Sequence, residues 1–172
     1  MRRFKNADKA KQIELTAQFP DLYKLQCVEE TQAYTYGAVS VFDHWLDRKE
    51  AAELLENVPT KIQKQRNNAL HIFSKKIASE FEIFNFKFNG KWGSCRPLFR
   101  HFTSTKAAFD YLTPATCYSS SYFFRIVIPE INAVFFESWD DTNVFYLRDP
   151  SAAKTIKPLA QECGIHYLEK WT

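Results

Sequence analysis

The residues able to do chemistry in this chain are few and widely spaced. Cys95 is the thiol best placed for it: in KWGSCRP (91–97) the cations Lys91 and Arg96 stand close by and would favour the reactive thiolate. Sequence neighbours on a strand point to opposite faces, however, and on that reading Cys95 is a half-buried thiol. The other cysteines, Cys27, Cys117 and Cys163, stand alone, and no C-x-x-C pair or G-x-S-x-G turn occurs. His44, His71, His101 and His166 lack the spacing of a metal site, and the break expected at Asp47 separates it from His44. Four glycines, Gly37, Gly90, Gly93 and Gly164, do not compose a phosphate-cradling loop. Glu137, Asp140 and Asp141 are the one dense acidic set, able to face a cation from a strand end, although no lysine lies between Glu137 and Asp149. The pattern names no cofactor, no catalytic residue and no metal ligand.

Charge is more informative. The formal net charge is +3, small for a nucleic-acid binder. It conceals two opposed blocks. Residues 81–129 set Lys87, Lys91, Arg96, Arg100, Lys106 and Arg125 against Glu82 and Asp110, a net of +4. Residues 130–149 set Glu130, Glu137, Asp140, Asp141 and Asp149 against Arg148, a net of −4. Adjacent strands could pair these charges across a sheet. Alternatively, Glu137, Trp139, Asp140, Asp141 and Tyr146 form an acidic, aromatic docking surface for a basic partner. The opposite use is a single-stranded nucleic-acid platform of Lys87, Lys91, Trp92, Arg96 and Arg100, with Phe99 and His101 between them and Lys61, Lys64 and Lys75 extending it.

The elements that must position these groups follow from periodicity. Asp8 caps a helix bearing Ile13, Leu15 and Phe19 that stops before Pro20. Residues 29–46, with Tyr34, Ala38, Val41, Phe42 and Trp45, fit a helix burying one face. Asp47 and Glu50 form a capping box for AAELLENV. Ile62, Ala69, Leu70, Phe73 and Ile77 make one stripe of a helix over 60–80. The period then becomes two: FEIFNFKF (81–88) is a strand, Asn89-Gly90 a tight turn, and a strand from Trp92 to Cys95 returns and stops at Pro97. A helix over 104–112 follows. Residues 122–128 and 131–138 make a hairpin about Pro129, and a polar turn at 139–143 leads to a strand at 144–147. Ser151 caps a helix running to Cys163, which Pro158 kinks or delays. Gly164 stops it, and 165–168 is the last strand.

The whole reads as one α+β domain over 1–172: residues 1–80 mainly helical, packed as a layer on a mainly antiparallel sheet of five or six strands, and 81–172 mainly sheet with two helices. The aromatics (16 Phe, 8 Tyr and 4 Trp) suit a bulky core. The basic start, MRRFKNADKAKQ, is followed by no apolar stretch. Scattered cysteines and the want of a long apolar run place the protein in the cytoplasm, away from membranes.

The segment IPEINAVFFESWDDTNVFYLRD, followed by a helix and the ending ECGIHYLE, resembles immunity proteins of bacterial toxin systems, including those that accompany contact-dependent growth-inhibition toxins. The resemblance covers roughly residues 126–169. It implies a non-enzymatic cytoplasmic protein that binds and neutralises one cognate toxin, often a nuclease, by covering its active site.

Overall fold

The computed structural model describes residues 2–26, 31–88, 96–114 and 123–170. Among them, eight strands form one antiparallel sheet in the order β1-β4-β3-β5-β6-β7-β2-β8. They are β1 (Phe4–Asn6), β2 (Thr35–Ser40), β3 (Phe84–Phe88), β4 (Pro97–Phe102), β5 (Arg125–Ile128), β6 (Ala133–Glu137), β7 (Thr142–Leu147) and β8 (His166–Glu169). The helices are α1 (Lys9–Gln18), α2 (Leu22–Gln26), α3 (Arg48–Leu55), α4 (Thr60–Glu80), α5 (Thr105–Tyr111) and α6 (Ala153–Glu162). The class is α+β, and the sheet is larger than the five or six strands expected.

Strand alternation divides the core in two. On one face Ile126, Ile128, Phe135, Phe145 and Val39 pack with Leu70, Phe73 and Ile77 of α4, Ala108 of α5 and Ile156 and Ala160 of α6. Phe135 stacks on Phe145 with ring centres 4.2 Å apart, and Phe73 meets both edge-on. On the other face Phe84, Phe86, Phe99, Val127 and Val134 pack with Leu15 of α1, Phe19, and Leu22 and Leu25 of α2. Phe19, Phe73, Phe84, Phe86, Phe99, Phe124, Phe135 and Phe145 are all fully buried. Each contributes about 1.5–3 kcal/mol by leaving water, so much of the aromatic excess goes into the core.

The caps at Asp8 and Asp47 are as expected. The Asp8 carboxylate accepts the Lys11 N–H at 2.8 Å. Asp47 accepts from Lys49 and Glu50, while Glu50 accepts from the Asp47 N–H. Gly164 (φ +71°) ends α6. On α4, Leu70, Phe73 and Ile77 are buried, whereas Ile62 in the first turn is exposed; so is Ile13 on α1.

Three local expectations change. Residues 35–40 are the strand β2, not part of a helix. The run TYGAVS pairs on one side with β7 and on the other with β8, so both edges of its backbone are satisfied, and that tertiary pairing overrides the helical spacing of the apolar residues. Pro97 opens β4 rather than closing a strand; as the first residue it needs no N–H toward β1, whose pairing with β4 begins at Arg100. Asp149, not Ser151, caps the 3₁₀ turn Pro150–Ala152 by accepting the Ser151 N–H, and α6 begins at Ala153. The Asn89-Gly90 turn and the segment from Trp92 to Cys95 lie outside the described residues, as does Tyr122; β3 and β4 do pair antiparallel. Among the described residues no helix is long and apolar enough to cross a membrane.

Candidate binding cleft

A cleft of about 740 Å³ is lined from both sides of the sheet by residues of strands β1 to β7 and of α2 and α5. Register explains its make-up. Asn85 of β3 faces Arg100 of β4 on one side and Ile126 of β5 on the other. Asn85 is buried, and its side chain is fully engaged. Its Nδ2 donates to Tyr111 Oη (2.7 Å) and to the Arg125 carbonyl (3.2 Å), while its Oδ1 accepts from Arg100 Nε (2.8 Å) and from Arg100 Nη2. Tyr111 Oη also accepts the Arg125 N–H at 3.0 Å. The Arg100 guanidinium therefore has a fixed orientation, lying 4.1 Å from the Phe4 ring centre.

On the opposite face Arg125 lies against the rings of Phe86 and Phe88 and donates from Nε to the Phe86 carbonyl at 3.0 Å. Burial pulls both guanidiniums below the usual arginine pKa, and the nearby Arg125 charge adds to the effect on Arg100. The wall continues as aromatics: Phe136 meets Tyr146 at 5.8 Å, Tyr146 meets Tyr36 at 5.6 Å, and Phe123 meets Trp139 at 4.8 Å. Burial pushes Tyr36 up to about 12 and raises Tyr111 and Tyr146. At neutral pH the cleft thus offers phenol donors and guanidinium charge on aromatic walls. It can hold an anion or a flat apolar group.

The two residue sets expected to serve opposite partners are both divided. Glu137, Trp139 and Tyr146 line this cleft, and so do Lys87 and Arg100. Glu137 accepts the Phe124 N–H at 3.2 Å, and Trp139 is 47% exposed at the rim. Asp140 is exposed in the β6–β7 turn, where it and Asp141 both take positive φ. Asp141 is only 6% exposed and forms an ion pair with Arg66 of α4 at 2.9 Å while accepting from Gln63. Other acids of the block act locally, Glu130 accepting the Glu82 N–H and Asp149 capping its turn. Of the acidic block, Asp141 thus lies below the surface, whereas Asp140 is exposed. Arg96 lies apart, in a depression with Pro20, Asp21 and Tyr23. Lys91 and Trp92 are outside the described residues.

Among the described residues no three His, Cys, Asp or Glu side chains are grouped to hold a metal, so Glu137, Asp140 and Asp141 do not form a cation site. Cys95 and Cys117 fall outside the described residues, and burial raises the pKa of Cys163, against thiolate formation. The sequence reading missed Asn85, Tyr111, Arg125 and Tyr36. A signal existed for Asn85: it is an amide set between Phe84 and Phe86 in the buried part of β3, and such a group must have partners. No protein family, curated protein or solved structure matches this chain.

Proposed function

We propose that this chain is a non-enzymatic binding protein of the immunity type, which neutralises a cognate toxin by seating a segment of it in the cleft and covering its active site. The observation that carries the reading is the meeting of Trp139 and Tyr146 with Lys87 and Arg100 in one cleft. Tyr, Trp and Arg are the residues that dominate binding energy at protein interfaces, because they bury large area while keeping a polar tip. Asn85 holds Arg100 in place before a partner arrives, which lowers the ordering cost of association. The resemblance of residues 126–169 to immunity proteins supplies the partner class.

The charge logic differs from that of an acidic plug. Lys87 and Arg100 suit a partner segment bearing a carboxylate, with the aromatic wall receiving an adjoining ring or aliphatic chain. A nucleic-acid platform finds less support, because Arg96 lines a different depression from Lys87 and Arg100 and Glu137 would oppose a passing phosphate.

Cell survival tests the reading. Cells producing the product of the neighbouring reading frame should die, survive when the wild-type chain is co-expressed, and die again with the Trp139→Ala, Tyr146→Ala double variant. Absence of any protection, or undiminished protection by the double variant, would overturn it; recovery of nucleic acid in place of a protein partner would favour the platform.

A further inference from the structure

Beside the aromatic cleft, at the β1 edge, lies a smaller pocket of about 330 Å³ whose lining includes Arg2, Arg3, Asn6, Lys87 and Arg100. It holds four cations and no carboxylate. None of the four forms an ion pair with any described residue. Like charges gathered in one concavity repel unless an anion joins them.

The pocket is built rather than a chance of long side chains. Thr103 fixes the backbone that carries Arg2 and Arg3: its Oγ1 donates to the Arg2 carbonyl at 2.7 Å and its N–H to the Arg3 carbonyl at 3.1 Å. Buried Asn85 fixes Arg100 from below through Nε and Nη2. Arg100 Nη1 has no partner among the described residues and stays available to a ligand. Four cations exceed what one carboxylate neutralises, and they match a group bearing two or three negative charges.

We infer that this pocket binds the diphosphate group of a small molecule. The source is inorganic pyrophosphate or a nucleoside diphosphate, whose base would extend into the adjoining aromatic cleft. The inference does not depend on the toxin reading, and a diphosphate here would compete with a toxin segment for Lys87 and Arg100.

Titration calorimetry on the full chain, at low ionic strength in chloride buffer, tests it with pyrophosphate, ADP and acetate as probes. Pyrophosphate and ADP should each bind once per chain, at least tenfold more weakly to Arg3→Glu and to Lys87→Glu. Neither of those side chains makes a hydrogen bond whose loss would unfold the protein, and circular dichroism checks this. Lys64→Glu, the same charge change on exposed α4, should leave affinity within twofold. ADP binding more tightly than pyrophosphate assigns the nucleotide; equal affinities assign the diphosphate alone. The inference is overturned if neither probe binds, if acetate binds as well as pyrophosphate, or if Lys64→Glu weakens binding as much as Lys87→Glu.

Discussion

Asp140 and Asp141 are adjacent acids in one turn, and the fold gives them opposite tasks that the variants Asp140→Asn and Asp141→Asn separate. Asparagine tolerates positive φ as aspartate does, so each change removes the charge without straining the turn (φ +64° and +54°). The Asp141 side chain is 3% exposed and that of Arg66 16%. Unit charges about 4 Å apart at an effective dielectric constant of about 20 attract by about 4 kcal/mol. Part of this is offset by the cost of burying the carboxylate. Arg66 also keeps its bond to the Leu54 carbonyl and its place over the Phe42 ring when the partner charge is lost. The expected loss is therefore about 2–3 kcal/mol, below the 3–5 kcal/mol of a fully buried pair. Asp140→Asn should stay within about 0.5 kcal/mol of wild type. Urea denaturation with unchanged m-values reads both, and a double-mutant cycle with Arg66→Gln should return most of the Asp141 effect as coupling. Equal effects at the two positions, or a loss under about 0.5 kcal/mol at Asp141, would refute the reasoning.

Three further outcomes follow from the packing. A Cβ on Gly37 would lie 2.1 Å from Tyr167 Oη, so Gly37→Ala should cost about 1–2 kcal/mol in denaturant, with the cost largely absent in a Tyr167→Ala background. Asn143 is buried with its Nδ2 unpartnered, so Asn143→Leu should raise stability by about 1 kcal/mol in the same assay. Burial holds Tyr34, Tyr36, Tyr111, Tyr146 and Tyr167 above the ordinary tyrosine value of 10.0. Their folded pKa is raised, so their contribution to stability is complete below pH about 10 and is lost as pH rises through the Tyr36 value of about 12. Tyrosinate absorbance should then appear together with unfolding in an alkaline titration; full tyrosine ionisation near pH 10 in a folded chain would contradict the burial.

What the sequence makes legible is what is decided within a few residues. The caps at Asp8 and Asp47 are readable because donor and acceptor are three residues apart or fewer. The α4 stripe and the alternation of Phe84, Phe86 and Phe88 are readable for the same reason. β1 escapes notice because its three residues are held only by β4, nearly a hundred residues away. β2 looks helical until β7 and β8 arrive to pair with it. The candidate site divides along the same line. Trp139 and Tyr146 are conspicuous as aromatics beside acids, but Asp140 and Asp141 differ through Arg66 and Gln63, 75 and 78 residues distant. The alignment of Arg100 by Asn85 depends on the β3–β4 register, which periodicity alone does not specify.

The cleft as the partner-binding site is the central claim, and the most direct test is the affinity of the purified neighbouring-frame product for the chain by titration calorimetry. The account predicts a one-to-one complex, at least thirtyfold weaker for Trp139→Ala, Tyr146→Ala and unchanged within threefold for Asp140→Asn, a weakening of about 2 kcal/mol as expected for anchor residues. Equal affinity for the wild type and the double variant, or the failure of that product to bind at all, would contradict it.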